Sequence, residues 1–459
     1  MAGAGAGGAG GASGTGGASG NGGGSGGVPV DLPDGVTDLF PLPGAVDTCP
    51  DPPLRLSFSG VPALGSSGSV KVFDAASPGS PVASVDFAAM TISDTIGGLS
   101  FNLQRPVYVD GNDVVVKLES HALGYGKTYF VTVDSGAIVG PGNAPFSISD
   151  PEAWTFTTFA GAPSSTTSLT VALDGTGDFC SPQGALDAVP NANQAPTTID
   201  IGPGTYHGVV YFSGKQNITL RGADRKQTIL SGVNNNNLNA GTKIRALVGA
   251  DNANGLVVEN LTIHNLTPQG GSQAEALRLQ NCDKCIIRDA DILSLQDTLL
   301  WSGRLYADNC FIAGNVDFIW GNGVAYFNEC EIKTVGRNGY IVQSRNAAGA
   351  YGYVFVDSRI TSDPGITGSV LARIDASAYP GSHVAYVNCE IGSHISSAGW
   401  TITGGSPPAS LRFWEYQSKN SSGSLINTSG RAAGSTQISA QQAASMRDKA
   451  TVLGGWNPN

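Results

Sequence analysis

The sequence has few charged residues and no long apolar run. Only 13% of its 459 residues are charged, and 36 acidic residues against 25 basic ones give a net charge of −11. Nucleic-acid binding requires a basic face, so this balance argues against it. No run of 18 apolar residues occurs, so no membrane span is predicted. Neither a basic region nor an apolar core follows Met1, so we expect no leader within these residues and infer that one was removed.

Glycine, in contrast, is abundant. A total of 64 glycines with so few charges is typical of an all-β, turn-rich extracellular protein. Residues 1–44, rich in Gly, Ala and Ser, are predicted to be a flexible tether of the kind found in secreted or surface-anchored bacterial proteins. Residues 45–160 contain short alternating strands between turn residues, which predicts a β-sandwich. Their first and last strands resemble bacterial Ig-like domains, and residues 161–168 read as a linker.

A short pattern ending in isoleucine repeats through the rest of the chain. It ends at Ile263, Ile292, Ile312, Ile332, Ile360 and Ile391, with spacings of 29, 20, 20, 28 and 31 residues. A strand-like unit of 20 to 30 residues is too short to fold alone and is typical of a solenoid. We therefore predict a parallel β-helix over residues 169–459, with a short helix from about Ser181 to Ala188 capping its open end.

Two carboxylates have equivalent places in this repeat. Asp297 follows Ile292 by five residues, and Asp317 follows Ile312 by five. Neighbouring parallel strands lie roughly 4.8 Å apart, so the two side chains should be within reach of each other. Close carboxylates do not both ionise easily, so one should stay protonated and provide an acid beside a nucleophile or base. The alternative is that both are turn residues, where aspartate is common.

The seven cysteines leave at least one free thiol. Cys310 and Cys330 each lie two residues before a pattern isoleucine, so they should stack on adjacent coils. Either a disulfide or a pair of buried thiols fits this placement. The Cys282-x-x-Cys285 spacing is a weak metal or redox signal, because no second Cys or His pair follows at ligand spacing. No metal site is predicted.

Between about residue 169 and residue 459, the chain contains eight motifs that resemble, in the same order, those of a known family. They are VALDGTGDF (171–179), GTYHG (204–208), LTIHN (261–265), SQAEAL (272–277), LQDTLL (295–300), GNVDFIWGNG (314–323), YIVQSR (340–345) and LARID (371–375). In this order they resemble pectin methylesterases. Taken with the repeat, the resemblance predicts an all-β protein: a right-handed parallel β-helix preceded by an Ig-like β-sandwich.

The resemblance implies roles for five residues. Asp317 matches the family's nucleophile, and Asp297 matches the general acid that later acts as a base. Arg373 matches the arginine that pairs with the nucleophile and favours its charged form. Gln273 and Gln296 match the amide donors to the oxyanion. The implied reaction is hydrolysis of galacturonate methyl esters in homogalacturonan to carboxylates and methanol, by a secreted or surface-tethered monomer without a metal or organic cofactor.

The same motifs supply candidate substrate contacts. Trp320, Phe318, Trp301, Tyr206 and Gln343 are expected to line the cleft, with core packing as the alternative for the aromatic residues. One departure bears on this cleft. Many relatives carry Arg-Pro-Trp where this chain has Arg-Ile-Asp at 373–375, so a cleft tryptophan is missing and a negative charge is added.

Other functions fit the same scaffold and stay open at this point. Because the cleft tryptophan is missing and a fold does not fix its substrate, another esterase or a thioesterase stays open as an alternative. A β-helix pectin lyase or a polygalacturonase would cleave the polymer chain, the latter with two acids flanking a glycosidic bond. A wall-binding protein without activity would not need two aspartates, two glutamines and an arginine in these motifs.

Overall fold

A computed structural model describes residues 32–459, and the strands of its N-terminal part pair antiparallel, apart from the parallel pair β2–β14. These strands form a four-stranded, a five-stranded and a three-stranded sheet, plus the hairpin β7–β8. A 3-10 helix covers Pro141–Asn143. The strands are β1 (Val36–Phe40), β2 (Ala45–Thr48), β3 (Leu54–Phe58), β4 (Ala63–Leu64), β5 (Ser69–Asp74), β6 (Ala83–Asp86), β7 (Thr91–Ile96), β8 (Leu99–Gln104), β9 (Val107–Asp110), β10 (Asp113–Val116), β11 (Thr128–Val133), β12 (Ile138–Gly140), β13 (Ala144–Pro145) and β14 (Thr155–Thr158).

Alternating side chains build the core of this part. In β3, β5 and β11 every second residue is buried, as expected for sheets with one face packed and one face in water. The buried faces meet around Trp154, whose indole N–H donates to the Pro41 carbonyl at 2.7 Å.

The predicted tether boundary at residue 44 is wrong, because β1 and its neighbours belong to this core. Strand β1 pairs antiparallel with β3, and its residues Val36 and Leu39 are buried. The folded part therefore begins before residue 36, while residues 1–31 of the predicted tether lie outside the described residues.

The remainder of the chain winds into parallel coils, as the repeat predicts. The strands are β15 (Ser168–Val171), β16 (Thr197–Ile201), β17 (Gly204–His207), β18 (Val210–Ser213), β19 (Ile218–Gly222), β20 (Thr228–Gly232), β21 (Val248–Asp251), β22 (Val257–Glu259), β23 (Thr262–Asn265), β24 (Leu277–Gln280), β25 (Cys285–Arg288), β26 (Asp291–Leu293), β27 (Leu299–Trp301), β28 (Arg304–Asp308), β29 (Phe311–Gly314), β30 (Val316–Gly321), β31 (Val324–Asn328), β32 (Glu331–Thr334), β33 (Tyr340–Ser344), β34 (Tyr353–Val356), β35 (Arg359–Ser362), β36 (Val370–Asp375), β37 (His383–Val387), β38 (Glu390–Ile391), β39 (Trp400–Thr403), β40 (Arg412–Tyr416) and β41 (Ser435–Gln437).

Each coil contributes one strand to each of three parallel sheets. The first sheet has eleven strands and runs from β15 to β41, the second has eight and runs from β17 to β38, and the third has eight and runs from β18 to β39. The pattern isoleucines pair in register along the second sheet, from Ile263 to Ile391. All of them are buried, so the repeat marks one inward-facing column of the coil stack.

The corner between the first and second sheets explains the rest of the repeat. Three residues before each pattern isoleucine the backbone has a positive φ between 49° and 56°, at Asn260, Asp289, Asn309, Glu329, Asp357 and Asn388. Asparagine and aspartate tolerate this left-handed conformation better than most residues, which accounts for their frequency here. The following residue points inward, and Cys310 and Cys330 take this place on adjacent coils.

Three helices complete the described part of the chain. Helix α1 (Pro182–Ala188) packs against the first coil, as predicted for the end of the stack, and Ser181 is its N-cap residue. Helices α2 (Ala440–Arg447) and α3 (Lys449–Val452) cover the outer face of the first sheet. No helix in residues 32–459 is long and apolar enough to cross a membrane.

Of the two alternatives for Cys310 and Cys330, the structure has the pair of buried thiols and not the disulfide. The disulfide is Cys49–Cys180, which joins the N-terminal part to the residues just before α1 across 131 positions. The other cysteines of the described chain are buried free thiols. Cys310 and Cys330 instead direct their thiols to backbone carbonyls, at 3.3 Å for the contact of Cys310 with Ile287. The two cysteines therefore stack on adjacent coils as the repeat predicts, and they do so as thiols.

Candidate active site

The candidate residues gather on the third sheet, where its strands begin. Strand β27 pairs with β30 so that Leu299 lies opposite Ile319, and Gln296 forms a bridge with Val316. Asp297 and Asp317 therefore occupy the same position on successive coils, as the repeat predicts. The Asp297 N–H donates to the Val316 carbonyl at 3.0 Å, which ties the two positions together through the backbone.

The backbone at both aspartates is unusual. Asp297 has a φ of 65° and Asp317 a φ of 47°, both in the left-handed region. At Asp317 the strand also bulges, because three steps from Val316 to Ile319 match two steps on β33. A bulge redirects a side chain, and strained backbone of this kind clusters at functional sites. The fold thus directs two carboxylates out of an otherwise regular stack.

Asp317 is held by an arginine fork and an amide. The Arg373 Nε donates to Asp317 Oδ1 at 2.7 Å, and the Arg373 Nη2 donates to Oδ2. The Gln343 amide donates to the same Oδ2 at 3.4 Å, while its own oxygen accepts a 2.7 Å bond from the Arg345 Nε. The paired carboxylate raises the pKa of Arg373. A two-pronged contact of this kind fixes the orientation of a carboxylate.

Asp297 has different neighbours. Its Oδ2 accepts a 2.8 Å bond from Arg245 Nη2, and Arg245 is itself bound to the fully buried Glu275. Burial, and then the charge of Glu275, raise the pKa of Asp297 to about 7, against the opposing effect of Arg245. A carboxyl with this pKa is protonated in a substantial fraction of molecules near neutral pH and can donate a proton.

The two glutamines lie on the Asp297 side of this pair of acids, Gln296 next to Asp297 in the chain and Gln273 one coil earlier. Gln273 and Gln296 lie in the turns that precede β24 and β27, and both are half-buried. Gln273 accepts a 2.8 Å bond from the Ser272 hydroxyl at its amide oxygen. Neither NH₂ group donates a hydrogen bond to any residue that the structure describes, so both donors are available to a ligand.

Aromatic rings and arginines form the walls beside the aspartates. Trp320 is nearly buried, with the Arg345 guanidinium 4.6 Å from its ring centroid, and its indole N–H finds no acceptor within residues 32–459. The Arg373 guanidinium lies 4.3 Å from the Tyr340 ring, and that of Arg345 lies 5.5 Å from Tyr379. The sequence motifs single out neither tyrosine, although Tyr340 is the first residue of YIVQSR.

Three of the predicted cleft aromatics are wrong, because they fill the core. Trp301 is 1% exposed and packs 4.2 Å from Tyr353, and Phe318 is 0% exposed. Inward and outward residues alternate along a strand, so Phe318 faces away from its neighbour Asp317. Tyr206 lies far down the stack on β17, where its hydroxyl donates to the Gly202 carbonyl at 3.0 Å.

The carboxylate added at Asp375 makes its hydrogen bonds within its own turn. Ile374 is buried, and Asp375 is exposed with its carboxylate bound to the N–H and hydroxyl of Ser377. The departure at 373–375 therefore removes an aromatic side chain but places the new carboxylate in its own turn.

Cys282 and Cys285 of the cysteine motif have no third potential metal ligand close to them among the described residues. Cys282 and Cys285 are buried and direct their thiols to the carbonyls of Ala250 and Ala253. Within the described range, potential ligand atoms cluster only at Cys49, Asp51 and Cys180, where both sulfurs are used in the disulfide.

The arrangement can perform acyl transfer. It presents an oriented carboxylate, a carboxyl that is partly protonated near neutral pH, and two free amide donors on neighbouring coils. A nucleophile, an acid–base group and oxyanion donors are the parts that ester hydrolysis requires.

Comparison with known proteins gives one consistent family. The pectinesterase family model matches residues 168–453. Pectinesterase 31 of Arabidopsis thaliana is 34% identical over 205 residues, which cover 42% of this chain and 64% of the relative. Probable pectinesterase A of Neosartorya fischeri is 30% identical over 289 residues, covering 60% of this chain and 83% of the relative.

Solved structures agree with the fold. The pectin methylesterase from carrot is 28% identical with a TM-score of 0.57, and the match covers 62% of this chain and 93% of the carrot enzyme. The deglycosylated enzyme from Aspergillus niger is 27% identical with a TM-score of 0.54, covering 64% and 95%. The predicted right-handed parallel β-helix is thereby confirmed.

Proposed function

The chain belongs to the pectinesterase family of carboxylic ester hydrolases, and from this membership we propose a substrate and a role for each site residue. The substrate is methyl-esterified homogalacturonan, and the products are galacturonate carboxylates and methanol. One observation carries the proposal. Asp317 is paired with Arg373, and it lies one coil away from Asp297, whose pKa is raised to about 7.

The first half of the reaction forms an acyl-enzyme. A carboxylate oxygen of Asp317 attacks the ester carbonyl carbon, and the resulting oxyanion accepts hydrogen bonds from the free NH₂ groups of Gln273 and Gln296. Collapse of this intermediate breaks the bond to the methoxy oxygen. Asp297 gives that oxygen its proton, so methanol leaves and an anhydride with Asp317 remains.

The second half restores the enzyme. Asp297, now ionised, takes a proton from water, and the hydroxide attacks the sugar carbonyl of the anhydride. The bond to Asp317 breaks, which releases the galacturonate carboxyl and regenerates both aspartates in their starting forms. Arg373 and Gln343 hold Asp317 in position throughout, since both contact its carboxylate.

Substrate contact falls to the walls of the groove. The apolar faces of Trp320, Tyr340 and Tyr379 suit the faces of sugar rings, and the unpaired indole N–H of Trp320 suits a hydroxyl or carboxylate oxygen. Arg345 would pair with a free galacturonate carboxylate. Because this polymer lies in cell walls, we place the protein outside the cell, acting as a monomer.

Replacement of the nucleophile tests the proposal. Asp317→Ala should lower methanol release from highly methylated pectin by at least about 10³-fold while the circular dichroism spectrum is unchanged. Asp363→Ala, which removes a surface partner of Lys333, is the matched control and should keep full activity. Undiminished methanol release by folded Asp317→Ala would overturn the assignment. A fall in pectin viscosity with unsaturated products would point to a lyase.

A further inference from the structure

Arg245 and Glu275 form a buried ion pair directly behind Asp297. The Arg245 Nε lies 3.1 and 2.9 Å from the two Glu275 oxygens, and its Nη2 lies 2.7 Å from Oε1. The same Nη2 reaches Asp297 Oδ2 at 2.8 Å. The Arg245 and Glu275 side chains are 8% and 0% exposed, so solvent screens this contact very little.

Stability alone is a weak reason for such a pair. Removing two charges from water costs several kcal/mol, and apolar residues of similar volume often serve as well or better. The Arg245 Nη2 group donates one hydrogen bond to Glu275 and a second one to Asp297. The pair thus fixes one oxygen of Asp297 and leaves the other free to face the groove.

We infer that Arg245 and Glu275 are a positioning pair, which orients the Asp297 carboxyl and sets the pH at which it changes from acid to base. This inference rests on the proposed function, because it assigns Asp297 the proton transfers. Neither residue contacts the reacting atoms, so both act through Asp297.

Arg245 and Glu275 have opposite effects on the pKa of Asp297. Glu275 and Asp317 disfavour its ionised form, while Arg245 and Arg345 favour it, and Asp297 in turn favours the charged form of Arg373. Burial and Glu275 have the largest effects, which is why the pKa of Asp297 lies near 7 and not near 3.8. Loss of Glu275 alone should make Asp297 more acidic, and loss of Arg245 alone should make it less acidic.

The test is the pH dependence of kcat/KM for methanol release. Activity requires protonated Asp297, so its pKa in the free enzyme sets the alkaline limb of the profile. Glu275→Gln should move this limb to lower pH by about one unit, and Arg245→Gln should move it to higher pH by a similar amount. The double variant carries neither charge and should return the limb close to that of the parent.

Three variants guard against a failure to fold. Glu275→Gln keeps the side-chain volume and an acceptor for Arg245, and the double variant leaves no unpaired charge in the pair. Arg245→Lys keeps the positive charge and should return the alkaline limb to its position in the parent. The chain also offers a matched control. Arg431 and Glu415 form an equally buried pair, at 2.7 Å and with 7% and 1% exposed side chains, that has no contact with either aspartate. Arg431→Gln and Glu415→Gln should lower the melting temperature without moving the limb.

The outcomes separate the two proposals. If the parent releases no methanol, the proposed function fails and the positioning role fails with it. If the parent is active but Glu275→Gln and Arg245→Gln leave the alkaline limb in place, or move it in the same direction, only the positioning role is overturned. Opposite shifts that cancel in the double variant support it.

Discussion

Asp297 and Asp317 have the same chemistry and the same place on successive coils, yet their neighbours separate their roles. Asp317 receives two bonds from Arg373 and one from Gln343, which suits an anion. Asp297 receives one bond from an arginine that is already committed to Glu275. Environments that separate two carboxyl groups in this way define which is the acid and which the nucleophile.

The raised pKa of Asp297 predicts that this residue costs stability at neutral and alkaline pH. Its folded-state pKa of about 7 lies above the ordinary value of 3.8, so the folded protein disfavours the ionised carboxyl. The stability that the neutral carboxyl retains is fully present below about pH 4 and is lost as the pH rises through 7. Asp297→Asn keeps the shape without the charge. We expect it to raise the free energy of unfolding on the order of 2 kcal/mol at pH 8 relative to the parent.

Thermal or denaturant unfolding at two pH values measures this effect. The gain of Asp297→Asn should largely disappear at pH 4, where the parent carboxyl is also neutral, and methanol release should be lost at both. A substitution that destabilises equally at pH 4 and pH 8 would contradict a raised pKa at this position.

Residues inside recognisable motifs could be assigned from the sequence better than residues outside them. The register of the repeat placed Asp297 and Asp317 together, and the resemblance supplied Arg373. Arg245 lies in a stretch, GTKIRALVG, without a motif, and its partner Glu275 is 30 positions away. Trp301 and Phe318 were misjudged because motif letters do not tell which face of a strand is inward.

At the scale of elements, the corner between the first and second sheets accounts for one sequence rule. Asn309 and Asn388 have the left-handed backbone there, and Glu329 adopts the same conformation with a φ of 49°. Left-handed backbone costs roughly 1–2 kcal/mol for ordinary residues and less for asparagine. The Glu329 side chain is exposed and makes no hydrogen bond to the described chain, so nothing offsets that cost.

Glu329→Asn should therefore stabilise the β-helix, by about 0.5–1 kcal/mol. Glu329→Val, in contrast, should destabilise it, since β-branched residues fit this conformation worst. Methanol release should be unchanged in both, because the corner lies on the other side of the coil from the third sheet. Equal melting temperatures for the parent and both variants would show that the corner is not strained.

The elements themselves could be predicted where periodicity was strong. The six isoleucines fixed the register of the second sheet, and the short helix α1 at the end of the stack was expected from the sequence. The disulfide could not be predicted, because Cys49 and Cys180 are 131 positions apart and meet only when two separate parts of the chain dock. Strand β1 was not predicted, because Pro33 and Gly35 precede its five residues and Pro41 follows them, and such residues are typical of loops.

At the scale of the whole molecule, the N-terminal part docks on the first coils and is not a loosely tethered module. Asp51 accepts a 2.8 Å bond from the Cys180 N–H beside the disulfide, and hairpin β7–β8 packs Ile96 and Phe101 against Tyr211. Asn102 and Asn239 exchange backbone and amide bonds at 2.8 and 2.7 Å. The Ig-like character of this part stays a prediction, but its contacts cover the end of the coil stack that helix α1 also caps.

The molecule as a whole is acidic while its groove is not. The net charge is −11, yet the groove combines Arg245, Arg345 and Arg373 with three carboxyl groups, one of which is partly protonated near neutral pH. A partly demethylated pectin is itself a polyanion, so the distant surface repels it and the groove accepts it. Salt screens the long-range repulsion more than it weakens contacts inside the groove, because the screening length is about 10 Å at 0.1 M.

Raising NaCl from 10 to 150 mM should therefore lower the KM for partly demethylated pectin by about threefold, with little change in kcat. Fully methylated pectin carries almost no charge and is the matched substrate control, whose KM should stay constant. Initial rates of methanol release on the two substrates measure the difference. A KM that rises with salt on the charged polymer would mean that the arginines of the groove, and not the acidic surface, govern its capture.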